Sequence, residues 1–232
     1  MDQPLGDDVR PHADRPASRL PSADLRAQEG LAFSGHPTIG SAHAVLRRGF
    51  KPRTAGRLVQ ECGKGLVDIK IDGERLHLAL PEPEFRQPTK SHLDSVADGL
   101  GVSGADVQRA AIIDVGPVWF TLQLASGDAV RALAPNMDKL AALNSIGITG
   151  VNVFGLYPVK SGADLEVRSF APGDAIPEDP VCGSGNGCVA ALVRRDGVLK
   201  ARSYVAARAV SGGTVGSRSS SKTTRSGSEA MP

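Results

Sequence analysis

Two segments of the sequence combine glycine-rich loops with polar side chains in an order that suits anion binding. Residues 34–48 read SGHPTIGSAHAVLRR and precede Gly49, while residues 182–195 read CGSGNGCVAALVRR and precede Asp196 and Gly197. In each segment a loop of small residues leads into an apolar stretch that ends in two arginines. Glycines let backbone N–H groups converge at the start of a helix, where the helix dipole favours a negative charge. Each segment therefore predicts a helix whose N-terminus could hold an anion.

The other ends of the two predicted helices carry matching signals. The paired arginines complement the negative end of each helix dipole. Gly49 can supply a left-handed cap for the first helix and Gly197 for the second. Both helices are rich in Ala, Val and Leu on most faces, which predicts that each is buried and wrapped by strands. Taken singly, each segment is better explained as a buried helix with a tight entry. Taken as a pair, they predict two halves of one site that clamps a small carboxylate across a cleft.

Alternating patterns in the middle of the chain outline the elements that would position these loops. Residues 66–71 (LVDIKI) and 75–80 (RLHLAL) alternate around Asp72 and Gly73, which is a strong hairpin signal. Further strands are predicted at 110–115, 118–124, 151–156 and 165–170, a helix at 137–146, and a short helix or connection at 95–100. The pattern is strand-rich with isolated helices.

Charge and cysteine content exclude several classes of protein. The 232 residues include 27 basic and 25 acidic side chains, a formal net charge of +2 at pH 7. This balance does not predict a surface that binds nucleic acid or a membrane through bulk charge.

Three cysteines, an odd number, argue against a disulfide framework. No stretch approaches the roughly 18 apolar residues of a membrane span, and the N-terminus lacks the apolar core of a secretory signal. We therefore expect a cytoplasmic protein.

Several segments together resemble a known family. Residues 33–40 (FSGHPTIG) and 170–187, which include EDPVCGSGNG, resemble the two signature segments of the PhzF-like isomerases of phenazine biosynthesis. Residues 58–67 and 114–119 are similar to the same family. The resemblance runs from about residue 31 to about residue 195.

The resemblance implies an α+β fold of the diaminopimelate-epimerase type. In that fold two pseudo-symmetric domains each curl a sheet around a central helix, and the active site lies in the cleft between them. The resemblance places an incomplete N-terminal domain at 31–108 and a C-terminal domain at 109–200. Residues 1–30 are broken by prolines, and residues 201–232 form a tail dominated at its end by Ser, Gly and Thr. Composition predicts that residues 1–30 and 211–232 are disordered, and residues 1–30 lie outside the resemblance.

The family's chemistry is isomerisation by proton transfer on a small carboxylate, without a metal or an organic cofactor. The named member rearranges a dihydro-hydroxyanthranilate, and the implied assembly is a homodimer. An imidazole and a carboxylate that face one substrate form a proton-shuttling pair. The catalytic residues implied by the resemblance are His36, Asp179 and Cys182. The substrate-binding residues that it implies are Gly35, Gly183, Ser184, Gly185 and Asn186.

Cys182 has two interpretations. A thiol at a helix N-terminus has a lowered pKa and could exchange a proton. The other interpretation is a small residue in a tight loop, which the resemblance favours because threonine is common there. Racemases and epimerases of the same fold use two cysteines, one before each glycine-rich loop. Ser34 occupies the first of these positions, so a two-base racemase is the less favoured function.

One element of the family pattern has no counterpart in this sequence. The family's general acid–base is a glutamate in its N-terminal segment, and Glu29 stands in the wrong context to replace it. The first half is also shorter than the second. We therefore expect a relative that is truncated at both ends. Its alternative function is that of an impaired or inactive protein that retains only anion binding.

Overall fold

A computed structural model describes residues 19–21, 35–62, 65–158, 161–200, 203–207 and 219–222. The chain divides into two units. The first comprises residues up to 30 and His36–Ala79, and the second comprises Leu31–Gly35 and the residues from Leu80 onward.

In the described residues of the first unit, a four-stranded sheet packs with one helix. Its elements are β1 (Arg19–Pro21), α1 (Gly35–Arg47, in this unit from His36 onward), β2 (Arg57–Cys62), β3 (Gly65–Asp72) and β4 (Arg75–Leu78). The strands follow the order β1-β2-β3-β4, and only the β1–β2 pair is parallel. The predicted hairpin is confirmed, although its turn lies one residue later, at Gly73 and Glu74. Gly73 has φ +59°, a left-handed conformation that favours glycine.

The core of the first unit is small. Ala42 of α1 packs with Leu58 and Ile69 of the sheet, and partly buried apolar side chains surround them. Among the described side chains of α1, only Thr38 and Ala42 are buried. The prediction that this helix is buried on most faces was therefore wrong, because the sheet covers only one side of it.

The second unit is built on a seven-stranded sheet in the order β11-β10-β9-β8-β7-β6-β5. Its strands are β5 (Glu84–Arg86), β6 (Arg109–Asp114), β7 (Val118–Leu124), β8 (Gly150–Leu156), β9 (Leu165–Phe170), β10 (Ser203–Ala207) and β11 (Ser219–Lys222). Its helices are α2 (Lys90–Leu100), α3 (Gly127–Arg131), α4 (Met137–Ala141) and α5 (Gly183–Arg195). The β7–β8 and β9–β10 pairs are parallel and the others antiparallel.

Helices cover both faces of this sheet. On one face α5 packs on a core that includes Trp119, Phe154 and Val167. On the other face α2, α3 and α4 pack on a core that includes Phe120 and Phe170. Because both faces are covered, nearly every residue of β7, β8 and β9 is buried. The predicted burial of the second motif's helix is confirmed.

Local signals set the ends of the helices. Thr89 caps α2 through the backbone N–H of His92, and Gly101 ends the helix with φ +72°. This helix includes the predicted 95–100 segment but begins five residues earlier. The predicted helix at 137–146 continues beyond α4 as a 3₁₀ turn, Ala142–Ile146.

No helix among the described residues is long and apolar enough to cross a membrane.

The expected boundary between domains, after residue 108, needs correction. The units divide between Ala79 and Leu80. The reason is that β5 pairs with β6 and α2 packs against α4, so residues 80–108 belong to the second unit.

Two strands, β1 and β11, lie in ends that composition predicted to be disordered. β1 pairs with β2, and β11 pairs with β10. These stretches therefore join the two sheets through backbone hydrogen bonds despite their polar composition. The remainder of residues 1–30 and 211–232 lies outside the described residues.

The close approach of β8 to the start of α3 generates a stability prediction. A Cβ built on Gly155 would lie against the Ser126 carbonyl and 2.9 Å from the Gly127 nitrogen, all backbone atoms that cannot rotate away. We expect Gly155→Ala to lower the free energy of unfolding by about 1–3 kcal/mol, measured by urea denaturation. Gly104→Ala is the control, since no atom lies within 4 Å of its Cβ position. Equal midpoints for the two variants would contradict the packing.

Candidate functional site at the start of α5

The N-terminus of α5 is closed by its own side chains. Cys182 is the N-cap residue, and its Sγ accepts the backbone N–H of Gly185 at 3.2 Å. The Asn186 side chain donates through Nδ2 to the Cys182 carbonyl at 2.7 Å. The first-turn N–H groups of Gly183 and Ser184 have no acceptor within the helix. They are the groups that an anion at this end of α5 would meet.

A row of buried polar side chains lies beneath this helix start. Thr121, Asn152 and Ser169 stand side by side in the register of β7, β8 and β9 and are at most 2% exposed. A Cβ built on Gly185 would lie against Asn152 Oδ1 and 2.9 Å from Ser169 Oγ. The same Cβ would lie 2.7 Å from Cys182 Sγ. Only glycine at 185 therefore lets α5 approach the strands this closely.

The loop before α5 is anchored by a buried ion pair. Arg168 on β9 binds Glu178 through two hydrogen bonds, Nε to Oε1 at 2.7 Å and Nη2 to Oε2 at 2.9 Å. Both side chains are less than 10% exposed. Arg168 Nη1 also donates to the Leu133 carbonyl at 2.7 Å, and the guanidinium lies 4.9 Å from the centre of the Phe170 ring. These contacts fix the first residue of the segment 178–180, which we call the EDP segment.

Asp179 follows this anchor directly. Its backbone N–H donates to the Ser169 carbonyl at 2.9 Å, which continues the attachment to β9. Its Oδ1 accepts the N–H of Val181 at 2.9 Å in a tight turn. The side chain is half-buried. The carboxylate is thus held in one orientation within four residues of the first turn of α5.

Ser184 is joined to the sheet through a tryptophan. Trp119 Nε1 on β7 donates to Ser184 Oγ at 3.1 Å. Trp119 is 3% exposed, whereas Ser184 is half-buried. Cys182 Sγ lies 3.9 Å from the same hydroxyl oxygen. The hydroxyl therefore stands between the core and the surface at the start of α5.

Burial dominates the acidity of Cys182. Desolvation, followed by the negative charge of Asp179, raises its pKa to about 12, and the hydrogen bond from Gly185 only partly offsets these effects. The position of Cys182 at a helix N-terminus therefore does not bring its pKa below the ordinary value of a thiol. At neutral pH this side chain is a thiol.

The structure brings six of the predicted site residues together in the second unit, namely Asp179, Cys182, Gly183, Ser184, Gly185 and Asn186. Gly35 belongs to the same unit, and a Cβ built on Gly183 would lie 3.7 Å from Gly35 Cα. His36 is the second residue of α1, and its side chain lies outside the described part of the structure, as does all of Ser34. No group of three or more His, Cys, Asp or Glu side chains in the described ranges could hold a metal ion.

Four contributors were missed by sequence reasoning: Arg168, Trp119, Asn152 and Ser169. Three of them are polar residues inside otherwise apolar strands, which is an unusual composition for a doubly covered sheet. That signal could have marked these residues for attention. The identity of their partners could not be read from it.

The buried anchor generates a stability prediction. Arg168→Met leaves Glu178 buried without its partner, so we expect a loss of about 3–5 kcal/mol in the free energy of unfolding, measured by chemical denaturation. Lys90→Met is the matched control, because it breaks an exposed pair with Asp94 and should cost less than about 1 kcal/mol. A small effect of Arg168→Met would show that the pair does not hold the loop.

Thiol labelling tests the state of Cys182. Because the side chain is buried and its pKa is raised, we expect a maleimide at pH 7.5 to modify Cys62, which is half-buried, far faster than Cys182. Mass spectrometry of tryptic peptides reads each site separately. In urea all three cysteines should react alike. Equal native rates at Cys62 and Cys182 would contradict the burial.

The chain is similar to one protein family and to several individual proteins. The profile of the phenazine biosynthesis-like protein family, PhzC-PhzF, matches residues 25–223. The chain is 37% identical over 174 residues to Antisense-enhancing sequence 1 of Schizosaccharomyces pombe, with 70% of this chain and 57% of that protein covered. It is 28% identical over 178 residues to an uncharacterized isomerase of Deinococcus radiodurans, with 73% of this chain and 57% of that protein covered. The chain thus spans 57% of the length of each relative.

Solved structures agree on the fold. A predicted epimerase from Pseudomonas aeruginosa superimposes with a TM-score of 0.61 at 19% identity, with 84% of this chain and 68% of that chain covered. The expected α+β, epimerase-like fold is therefore confirmed. The profile match, which spans most of the sequence, confirms the resemblance drawn from the two motif segments: the chain belongs to the phenazine biosynthesis-like (PhzC-PhzF) family.

Proposed function

We propose that this protein acts as an isomerase that moves a proton on a small carboxylate substrate. The observation that carries the proposal is the placement of an oriented carboxylate, Asp179, beside the first turn of α5. The proposal thus combines a proton acceptor with a helix N-terminus that begins four residues later in the chain. The Deinococcus relative named an isomerase supports this class of reaction.

The substrate carboxylate would bind at the start of α5. The N–H groups of Gly183 and Ser184 are unpaired within the helix, and the helix dipole contributes about half a positive charge at this end. The Ser184 hydroxyl adds a side-chain donor. Hydrogen bonds to a charged acceptor are stronger than those between neutral groups. These donors would fix the substrate by its carboxylate and leave its carbon framework to face the acid–base groups.

Asp179 would take a proton from the substrate carbon and return it to another position. A carboxylate is suited to both steps when it is held within hydrogen-bond reach of the proton. The buried pair of Arg168 and Glu178 and the turn at Val181 hold Asp179 in place. From the family resemblance we propose His36 as the second proton-transfer group and Gly35 as a substrate-binding residue.

We assign Cys182 to the helix cap instead of the proton relay. A thiol whose pKa is about 12 is a poor base at neutral pH. Its sulfur instead accepts the Gly185 N–H. Asn186 braces the same turn through the Cys182 carbonyl. The proposed chemistry is therefore carried by a carboxylate and an imidazole, not by two thiols.

Anion binding without turnover is the second candidate function. It is supported by the raised pKa of Cys182, which removes one of the predicted catalytic residues from proton transfer near neutral pH. The two candidates share the anion-binding loop and differ in whether a C–H bond is broken. Exchange of substrate hydrogen with solvent distinguishes them.

The test is deuterium incorporation in D₂O, followed by NMR over a panel of dihydroaromatic amino carboxylates and α-amino acids. We expect wild-type protein to exchange one carbon-bound hydrogen of a substrate. Asp179→Asn should reduce the rate by about 100-fold or more, because it removes the proton acceptor. Asp94→Asn is the matched control on the exposed face of α2 and should exchange like wild type.

Three results would count against the proposal in different ways. Absence of exchange with every compound, together with measurable carboxylate binding, would favour the binding function. Exchange that is unchanged in Asp179→Asn would remove Asp179 from the reaction. Exchange that is unchanged in His36→Asn would remove the proposed imidazole.

A further inference from the structure

We propose that Trp119 is a positioning residue that sets Ser184 as a hydrogen-bond donor to the substrate carboxylate. The inference rests on the proposed function, because it concerns the same anion site. It begins from a contact between the core and the surface of the second unit. Trp119 Nε1 donates to Ser184 Oγ at 3.1 Å across 65 positions of sequence.

The direction of this hydrogen bond is fixed by chemistry. An indole N–H donates and has no lone pair to offer, so the serine oxygen must be the acceptor. The hydroxyl proton of Ser184 cannot point back toward Trp119 and has to donate elsewhere. Ser184 is half-buried in the first turn of α5, beside the N–H groups of that turn. Its proton is thereby available to an anion bound at the helix end.

Cys182 is the competing partner for that proton. Its sulfur lies 3.9 Å from Ser184 Oγ, and either atom could donate. Because Cys182 carries its own proton, the thiol can donate to the hydroxyl, which again leaves the hydroxyl proton free. A carboxylate oxygen is also a far stronger acceptor than a neutral sulfur. A bound carboxylate would therefore take the hydroxyl proton in preference to Cys182.

Trp119 itself has little freedom to move. It is 3% exposed and belongs to the core beneath α5. Gly150 is its partner in the register of β8. A Cβ built on Gly150 would lie 2.7 Å from Cζ3 of the indole and against the Phe170 carbonyl. The absence of a side chain at 150 thus provides the space for the ring, and the rigid ring aims the N–H at Ser184.

A double-mutant cycle separates positioning from packing. Anthranilate is the binding probe, and its dissociation constant is measured by isothermal titration calorimetry. We expect Ser184→Ala to weaken binding by about 10-fold, because it removes a hydrogen bond to a charged group. Trp119→Phe keeps a buried aromatic ring but loses the N–H, and we expect it to weaken binding by about 3- to 5-fold. In the Ser184→Ala background, Trp119→Phe should have no further effect.

Phe154→Leu is the control for loss of packing. Phe154 lies in the same buried cluster and contributes no hydrogen bond. This variant should lower the unfolding midpoint without changing the dissociation constant. Trp119 is also the single tryptophan of the chain, so one indole N–H resonance reports on it directly. That resonance should move on Ser184→Ala and on addition of anthranilate.

The outcomes distinguish this inference from the proposed function. If wild-type protein binds anthranilate and Trp119→Phe binds it equally well, the positioning role is overturned while the anion site stands. If Trp119→Phe weakens binding to the same extent with and without Ser184, the tryptophan acts through packing and the inference is also overturned. If wild-type protein binds no carboxylate, the anion site itself fails and this role fails with it.

Discussion

The buried ion pair between Arg168 and Glu178 is the interaction on which the candidate site depends. Removing two charges from water is costly, and the cost is offset here by bidentate geometry and by further hydrogen bonds from Arg168 to backbone carbonyls. The pair ties the EDP segment to the middle of the sheet and to the end of α3. Asp179 is the next residue, so the attachment of Glu178 also fixes the position of the Asp179 carboxylate.

The second constraint is the close contact between α5 and the sheet. Gly185 lets the helix start rest directly on Asn152 and Ser169. One consequence is a helix N-terminus supported directly by the strands. Another is the desolvation of Cys182, which makes its thiol too weak an acid for proton transfer near neutral pH. The same packing that supports the proposed carboxylate site therefore leaves the proposed acid–base role to other groups.

Local patterns predicted much of the fold and most of the site. The hairpin of β3 and β4, the strands of the second sheet and the helix after the CGSGNG loop all follow from alternation, turn residues and helix signals. The motif residues from Asp179 to Asn186 are contiguous, so the structure brings them together through local geometry. The resemblance to the family was readable from the same segments.

Long-range pairing accounts for what sequence reasoning missed. Arg168 reaches Leu133 and Trp119 reaches Ser184 across 35 and 65 positions, and no short pattern specifies such partners. Burial of α1 was predicted from its composition, yet burial depends on how many strands cover the helix. The polar stretches that became β1 and β11 were recruited by backbone hydrogen bonds, to which side-chain composition is a poor guide.

In the proposed site a small carboxylate binds at the start of α5, beside Asp179. The most direct measurement is a titration of the ¹⁵N-labelled chain with anthranilate, followed through its backbone amide resonances. We expect large, saturable shifts at Gly183 and Ser184, and no shift at Gly127, which begins α3 on the other face of the sheet. Shifts confined to other parts of the chain, or none at Gly183 and Ser184, would contradict it.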